Sequence, residues 1–328
     1  MDLALQVALS FLAVVFTLLS FGQAQAARIQ EVRPLMGTAV SITAEGPDRA
    51  ALQAAVEAAY REMQRLSDMM NHYDRASVVS AVNAAAGKHA VPIPPELADV
   101  LAQARRVSER TKGAFDITVG ALSVWRFRPG NEYVPTKAEI AARLPKVDFR
   151  KIKIVEEEKA SAFLAEPGMR IDLGGIAKLP ILEAGRRTLE ARGVRRALLN
   201  GGGDVVAHSD GPPWRVGVRD PRAPERLLGA VALVRGAVAS SGDYERFFER
   251  DGRRYHHVLD PRTGYPAEGA RGVTLVATEA QAVNGLGPAI MVLGLEAGKK
   301  LVAGTPGVEA VIVGRDGTLW RSPGLQLD

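Results

Sequence analysis

Apolar residues recur at helical spacing after Asp48, at Leu52, Val56, Ala59, Met63, Leu66 and Met70, and predict one long amphipathic helix that begins at the aspartate. The preceding "EVRPLMGTAVSITAEG" has strand character instead. A second amphipathic helix is predicted from Pro95 to Lys112, with Gly113 as its C-terminal cap. Between the two, "MNHYDRASVVSAVNAAAG" reads as a loop and a short helix. The polar, proline-bearing stretch 128–150 reads as a surface insertion or subdomain linker.

From Lys151 onward short strands alternate with turn signals, and one more helix is predicted from Pro180 to Arg192. The C-terminal "VEAVIVGRDGTLWRS" is a hairpin pattern, with Asp316 and Gly317 at the turn. Helices and strands alternate irregularly and hairpins are frequent, which favours an α+β fold over a doubly wound parallel sheet. One segment resists this reading. In "AVNGLGPA", Ala282, Leu286, Ile290 and Leu293 keep helical spacing, yet Gly285, Gly287 and Pro288 oppose a continuous helix. Either Pro288 starts the helix or another requirement shaped the segment.

At 328 residues the chain is long enough for one large domain or two smaller ones. Its net charge of +5 comes from scattered arginines with no basic block and few aromatics, which argues against nucleic-acid binding. The absence of cysteine excludes disulfides, thiolate metal sites, a cysteine nucleophile and a lipid-modified N-terminal cysteine. Leu3 to Phe21 is an uncharged apolar run, and Ala24 and Ala26 form a cleavage-site pattern before Ala27. Residues 1–26 therefore read as a secretory signal. The n-region carries Asp2 and no Lys or Arg, so an uncleaved membrane anchor stays open as the alternative. Either way residues 27–328 are expected in the periplasm or on the extracytoplasmic side of a membrane, with membrane contact only through an uncleaved segment.

Four stretches concentrate glycine and polar residues where a core would use apolar ones. In "IDLGGIAK", a strand is expected to enter Gly174 and Gly175 and leave toward a helix beginning near Lys178, an arrangement suited to phosphate. A tight turn with a solvated lysine explains the stretch alone equally well. In "LLNGGGDVVAH", three glycines permit close approach of a ligand or simply make a hairpin turn. In "AVASSGDYERFF", Ser240, Ser241 and Gly242 present hydroxyls and amides at the expected start of a short helix, as phosphate ligands or as an ordinary cap. In "RYHHVLDPRTGYP", Asp260, Pro261, Thr263 and Gly264 build a turn, while His257 with Asp260 three residues later suits proton transfer or phosphate orientation. No zincin, Walker, nucleophile-elbow or dinucleotide signature is present.

Taken in order, "MGTAVSI", "GAFDITVGALSVWRF", "IDLGGIAK", "LLNGGGDV", "VASSGDYERFF", "YHHVLDPRTGYP" and "IMVLG" resemble the ApbE family of FAD:protein FMN transferases over nearly the whole chain after residue 36. The resemblance implies a two-part, T-fold-related α+β architecture with mixed or antiparallel sheets and flanking helices. It implies a cleft that binds FAD, cuts its pyrophosphate and passes FMN to a threonine or serine hydroxyl of an exported or membrane-bound redox protein. The residues it implies around the flavin are Met36, Tyr73, Phe115, Asp116, Gly174, Gly175, Lys178, Ser240, Ser241, Gly242, Tyr244, His257 and Thr263, with His257, Lys178 and Asp260 nearest the chemistry. Val78 and Leu179 depart from the family's usual glutamate and glycine.

The resemblance also implies magnesium, held in the family by the aspartate and threonine of an "ADALATA" segment and by a backbone carbonyl at the position of Ala177. Asn284 and Pro288 stand at the aligned places. Asparagine offers only a neutral oxygen and proline no hydroxyl. Asp260 or Asp172 is then the carboxylate expected to compensate, if any does. Two readings other than transfer remain open on these residues: a flavin-binding accessory protein of a respiratory complex that has lost the chemistry, and an enzyme hydrolysing FAD to FMN and AMP.

Overall fold

The computed structural model describes residues 27–155 and 160–328. The predicted signal segment, 1–26, lies outside them. In chain order the elements are β1 (Ala27–Leu35), β2 (Thr38–Gly46), α1 (Arg49–Met70), α2 (Val78–Ala84), β3 (Val91–Pro92), α3 (Pro95–Arg110), α4 (Lys137–Arg143), β4 (Ile152–Val155), β5 (Ser161–Leu164) and α5 (Lys178–Ala191). There follow β6 (Arg196–Gly201), β7 (Asp204–Ser209), β8 (Trp214–Asp220), β9 (Ala223–Leu233), β10 (Arg235–Gly242), β11 (Phe247–Arg250), β12 (Arg253–His256) and β13 (Ala270–Ala277). The chain closes with α6 (Ala280–Val283), α7 (Leu286–Leu293), α8 (Leu295–Ala303), β14 (Val308–Gly314) and β15 (Leu319–Arg321). The fold is α+β.

Eight strands form the main sheet in the order β1-β2-β6-β7-β10-β13-β14-β15. Every pairing within it is antiparallel. Alternation along the strands sends side chains to two different cores. Val206, Ala237, Leu275 and Ile312 join the large core with Leu52, Met63 and Leu182 from α1 and α5. Val205, Ala207, Val238 and Val311 point the other way, into a smaller cluster with Trp214, Val216 and Val231 of the β8–β9 ribbon. A sheet covered on both faces has no polar side in its middle, and all six residues of β7 are buried.

The predicted apolar stripe of α1 is buried at every position named, and Asp48 caps the helix by accepting from the Ala50 and Ala51 amides. The C-terminal hairpin forms as predicted, with Gly317 at φ 87° and the Asp316 carboxylate accepting from Thr318. The triple glycine is a tight hairpin turn between β6 and β7, closed by the Gly203 amide donating to Asn200 Oδ1. The stretch 128–150 carries α4, begun by a Thr136–Glu139 capping box, and places Ile140 in a buried cluster with Leu122 and Trp125.

Three local expectations are corrected. Ile171 to Leu173 is not a strand: the Asn83 side chain both donates to and accepts from the Ile171 backbone, and the Asp172 amide donates to the Ile117 carbonyl. Side-chain and single backbone bonds there satisfy groups that a ladder would otherwise hold. Ser240 to Gly242 ends strand β10 and starts no helix, because β13 pairs with it through Gly242. The third helix begins at Lys178, two residues before Pro180.

The segment 282–289 is two helices. α6 ends at Val283, Asn284 is extended, Gly285 turns the backbone through the left-handed region at φ 80°, and α7 begins at Leu286. Pro288 falls in the first turn of α7, where its missing N–H has no intrahelical partner to lose.

Gly236 opens β10 at φ 136°, and a Cβ there would collide with the Ala277 carbonyl oxygen of the neighbouring strand. Gly236→Ala is expected to cost on the order of 3 kcal/mol by denaturant unfolding, because backbone cannot move aside as a flexible side chain does. Gly193→Ala, with φ 81° and open space around it, is expected to cost only about 1 kcal/mol. Equal losses from the two substitutions would contradict this reading of the sheet.

Candidate active site

The site is assembled from loops at one end of the main sheet. Lys178 is the first residue of α5, and its Nζ lies 2.7 Å from Asp204 Oδ2 at the start of β7. The other Asp204 oxygen accepts the Ser240 amide of β10 at 3.1 Å. One carboxylate therefore ties a helix start to two strands. Ser240 Oγ bonds Thr274 Oγ1 of β13, and Ser241 Oγ packs so close to α7 that a methyl at Gly287 would come within 2.5 Å of it.

The diglycine turn closes against the same place. A Cβ at Gly175 would lie 3.2 Å from Phe115 Cε2 and 3.3 Å from Pro288 Cγ, so glycine there lets turn, aromatic ring and proline meet. The Gly174 amide is already used, donating to Asp172 Oδ1 at 2.7 Å. The same oxygen faces His72 Nδ1 at 3.3 Å, and the His72 ring lies against Tyr73, tilted by 39°, with centroids 3.9 Å apart. Tyr73 is 78% exposed, an unusual state for a large aromatic ring and one suited to a planar ligand. Its hydroxyl stands beside the Arg246 guanidinium and the Asp172 carboxylate.

His257 joins this group through Arg246, whose carbonyl faces its Nδ1 at 3.3 Å. A carbonyl only accepts, so Nδ1 carries the hydrogen and Nε2 keeps its lone pair. Burial, followed by the positive charges of Arg246 and Lys178 and the neighbouring His256, pushes the His257 pKa down to about 3. The ring is thus a neutral hydrogen-bonding base among cations. Tyr244 lies flat on Gly242, where any side chain would strike its ring, and burial pushes its hydroxyl up to about 12.

The structure thus brings together Phe115, Gly175, Lys178, Ser240, Ser241 and Pro288, and on the other side Tyr73 and His257. Met36, at φ 54° in the β1–β2 turn, packs over Gly201 at the end of β6. The buried Asp116 carboxylate caps the 3-10 helix Ile117–Leu122 and accepts the Phe149 amide, and burial raises its pKa. Asp260 is likewise committed to its turn, both oxygens being held by the Arg262 guanidinium and one also by the Arg262 amide. Thr263 is exposed on that turn. Arg246, Asp204 and His72 were not singled out from sequence. Only Asp204 left a signal, as the one acidic residue directly after the triple glycine.

The residues at the implied magnesium position do not fit that ion. Asn284 presents its amide nitrogen, not an oxygen, to the Ile176 carbonyl and to Gln103 Oε1. The Ala177 carbonyl accepts the Ile181 amide, and Pro288 has no side-chain oxygen. Asp172 is engaged by Gly174 and His72, Asp260 by Arg262. Among the described residues no group of three or more His, Cys, Asp or Glu side chains is arranged to hold a metal.

Comparison with known proteins meets this geometry. A family model described as the ApbE family matches residues 36–312. An FAD:protein FMN transferase of Klebsiella pneumoniae (strain 342) is 32% identical over 282 residues, covering 85% of this chain and 87% of that protein. One from Treponema pallidum (strain Nichols) is 30% identical and covers 93% and 89%. The crystal structure of the ApbE protein of Thermotoga maritima superposes with a TM-score of 0.81 at 32% identity, covering 91% of this chain and 97% of that one. The apo flavinyl transferase ApbE of Pseudomonas stutzeri gives 0.78 at 29% identity, with 92% and 97% covered. The family match over residues 36–312 and the agreement in sequence and fold over about nine-tenths of the chain show that the chain is a member of the ApbE family.

Proposed function

We propose that this chain is an FAD:protein FMN transferase, acting outside the cytoplasm on a threonine or serine hydroxyl of an exported or membrane-bound redox protein. The observation that carries the reading is Lys178, anchored by Asp204, standing near enough to a neutral His257 for its charge to act on that ring. The exported location rests on the apolar run Leu3 to Phe21 and the small residues after it. Among the described residues no helix is long and apolar enough to cross a membrane.

The chemistry follows from the side chains. The target hydroxyl attacks the phosphorus of the FMN half of FAD, a new P–O bond forms, and the anhydride bond breaks with its electron pair leaving on AMP. His257 Nε2 receives the hydroxyl proton. Lys178 and Arg246 face the charge that grows on the phosphate oxygens, where preorganised cations act most strongly. The exposed ring of Tyr73, backed by His72, offers a stacking surface for a flavin or adenine ring.

Incubation of a threonine-bearing target domain with the protein and FAD is expected to add the mass of one FMN to the target, read by intact mass spectrometry. His257→Asn is expected to slow that transfer on the order of 100-fold or more while FAD still binds. Binding of FAD without any mass gain would overturn the transferase reading.

The pH dependence has a defined sign. A His257 pKa near 3 leaves the ring unprotonated through the ordinary range. The kcat/KM for transfer reports the free enzyme, so it is expected to run level from pH 8 to about 5 and to decline only toward the acid side of that. A break centred near 6.5, the ordinary histidine value, would show that His257 does not reside in the environment described.

A further inference from the structure

We propose that the amide of Asn284 takes the place of a bound cation beneath the diglycine turn, so that this chain holds the flavin diphosphate without a protein-bound divalent ion. The inference rests on the reading of the cleft as an FAD site, but its central observation is a hydrogen-bond network whose directions are fixed.

Asn284 is 3% exposed and Gln103 7%. The Ile176 carbonyl can only accept, so the Asn284 atom 2.9 Å from it is the nitrogen. Gln103 is oriented in the same way. Its nitrogen donates to the Gln281 carbonyl at 2.9 Å, which leaves its oxygen to accept the second Asn284 hydrogen at 3.0 Å. Two backbone carbonyls thus determine both amides without ambiguity of flip. One Asn284 hydrogen is spent on the carbonyl of Ile176 in the turn that precedes Lys178, the other on the Gln103 side chain of α3.

The arrangement is electrostatically the reverse of a metal site. A cation would draw the Ile176 carbonyl, the Gln103 oxygen and a carboxylate toward itself, and magnesium demands oxygen ligands at about 2.0–2.1 Å in near-octahedral order. Here a neutral donor fills the space between the two oxygens and satisfies them. A carboxylate at position 284 would instead oppose two acceptors at hydrogen-bond distance, and would be tolerated only with a proton or a cation between them. The positive charge that the diphosphate needs is supplied by side chains. Lys178 carries one charge, shared with Asp204. Arg246, whose guanidinium stands at the Tyr73 hydroxyl and whose carbonyl faces His257, carries another.

The test uses the full chain and two variants, each in magnesium chloride and in EDTA, with thermal unfolding of the ligand-free protein and FAD affinity as separate readouts. The wild-type midpoint and its FAD Kd are expected to be the same in both media. Asn284→Asp is expected to unfold at lower temperature in EDTA and to recover in magnesium, since the ion relieves the opposed oxygens. Asn284→Ala, which loses the donors without gaining charge, is expected to be destabilised equally in both. Magnesium raising the wild-type midpoint, or EDTA weakening wild-type FAD binding by about tenfold or more, would overturn the proposal. So would an Asn284→Asp protein indifferent to magnesium. Failure of the wild type to bind FAD in either medium would count against the functional reading, while the ligand-free midpoints would still decide the metal question.

Discussion

The contact between Lys178 and Asp204 is the constraint on which the cleft depends. Lys178 opens α5, so its charge stands at the positive end of the helix dipole, an unfavourable place for a cation. Asp204 offsets that cost at 2.7 Å and, through its second oxygen, fastens β10 to the same point. The pair is partly buried, with side-chain exposure of 31% and 11%, which makes an unpartnered member costly. Helix dipole and ammonium together favour an anion, and the carboxylate that anchors the lysine does not use all its hydrogens. A phosphate group arriving there finds its charge already accommodated by the fold.

Around this contact the architecture works by closing loops onto one end of an antiparallel sheet. Strands β6 and β7 meet in a glycine turn, β10 ends at Ser240 to Gly242, and α7 is brought to Ser241 by the left-handed turn at Gly285. The broken helix thus has a structural purpose. A straight helix through Asn284 would not send one end beneath the diglycine turn and the other against Ser241. Gly175, Gly242 and Gly287 are each placed where a side chain would displace Phe115, Tyr244 or Ser241.

The helices and the outer hairpins were legible in the sequence because their signals are local. The stripe from Leu52 to Met70, the Asp48 cap and the Asp316–Gly317 turn each depend on neighbours within a few residues. The misreadings share one cause. Ile171 to Leu173 alternates as a strand does, but its backbone is satisfied by Asn83, 88 residues away. Ser240 to Gly242 carries capping chemistry, yet it pairs with β13, and the Ser240 amide donates to the Asp204 carboxylate. The site shows the same division. Glycine turns, Lys178 and His257 were conspicuous by composition, whereas Arg246 and His72 gain their roles only from the fold. Asp260 spends both oxygens on Arg262 of its own turn, and Asp116 divides its oxygens between Thr118 and the distant Phe149 amide.

The central claim is that Lys178, held by Asp204, serves the diphosphate and not the ring system of the flavin. The most direct measurement is the affinity of the wild type and of Lys178→Met for FAD and for riboflavin, which shares the isoalloxazine ring but has no phosphate. The account predicts that the substitution weakens FAD binding by about tenfold or more and leaves riboflavin binding unchanged. Loss of affinity for both ligands to the same degree, or for neither, would contradict it.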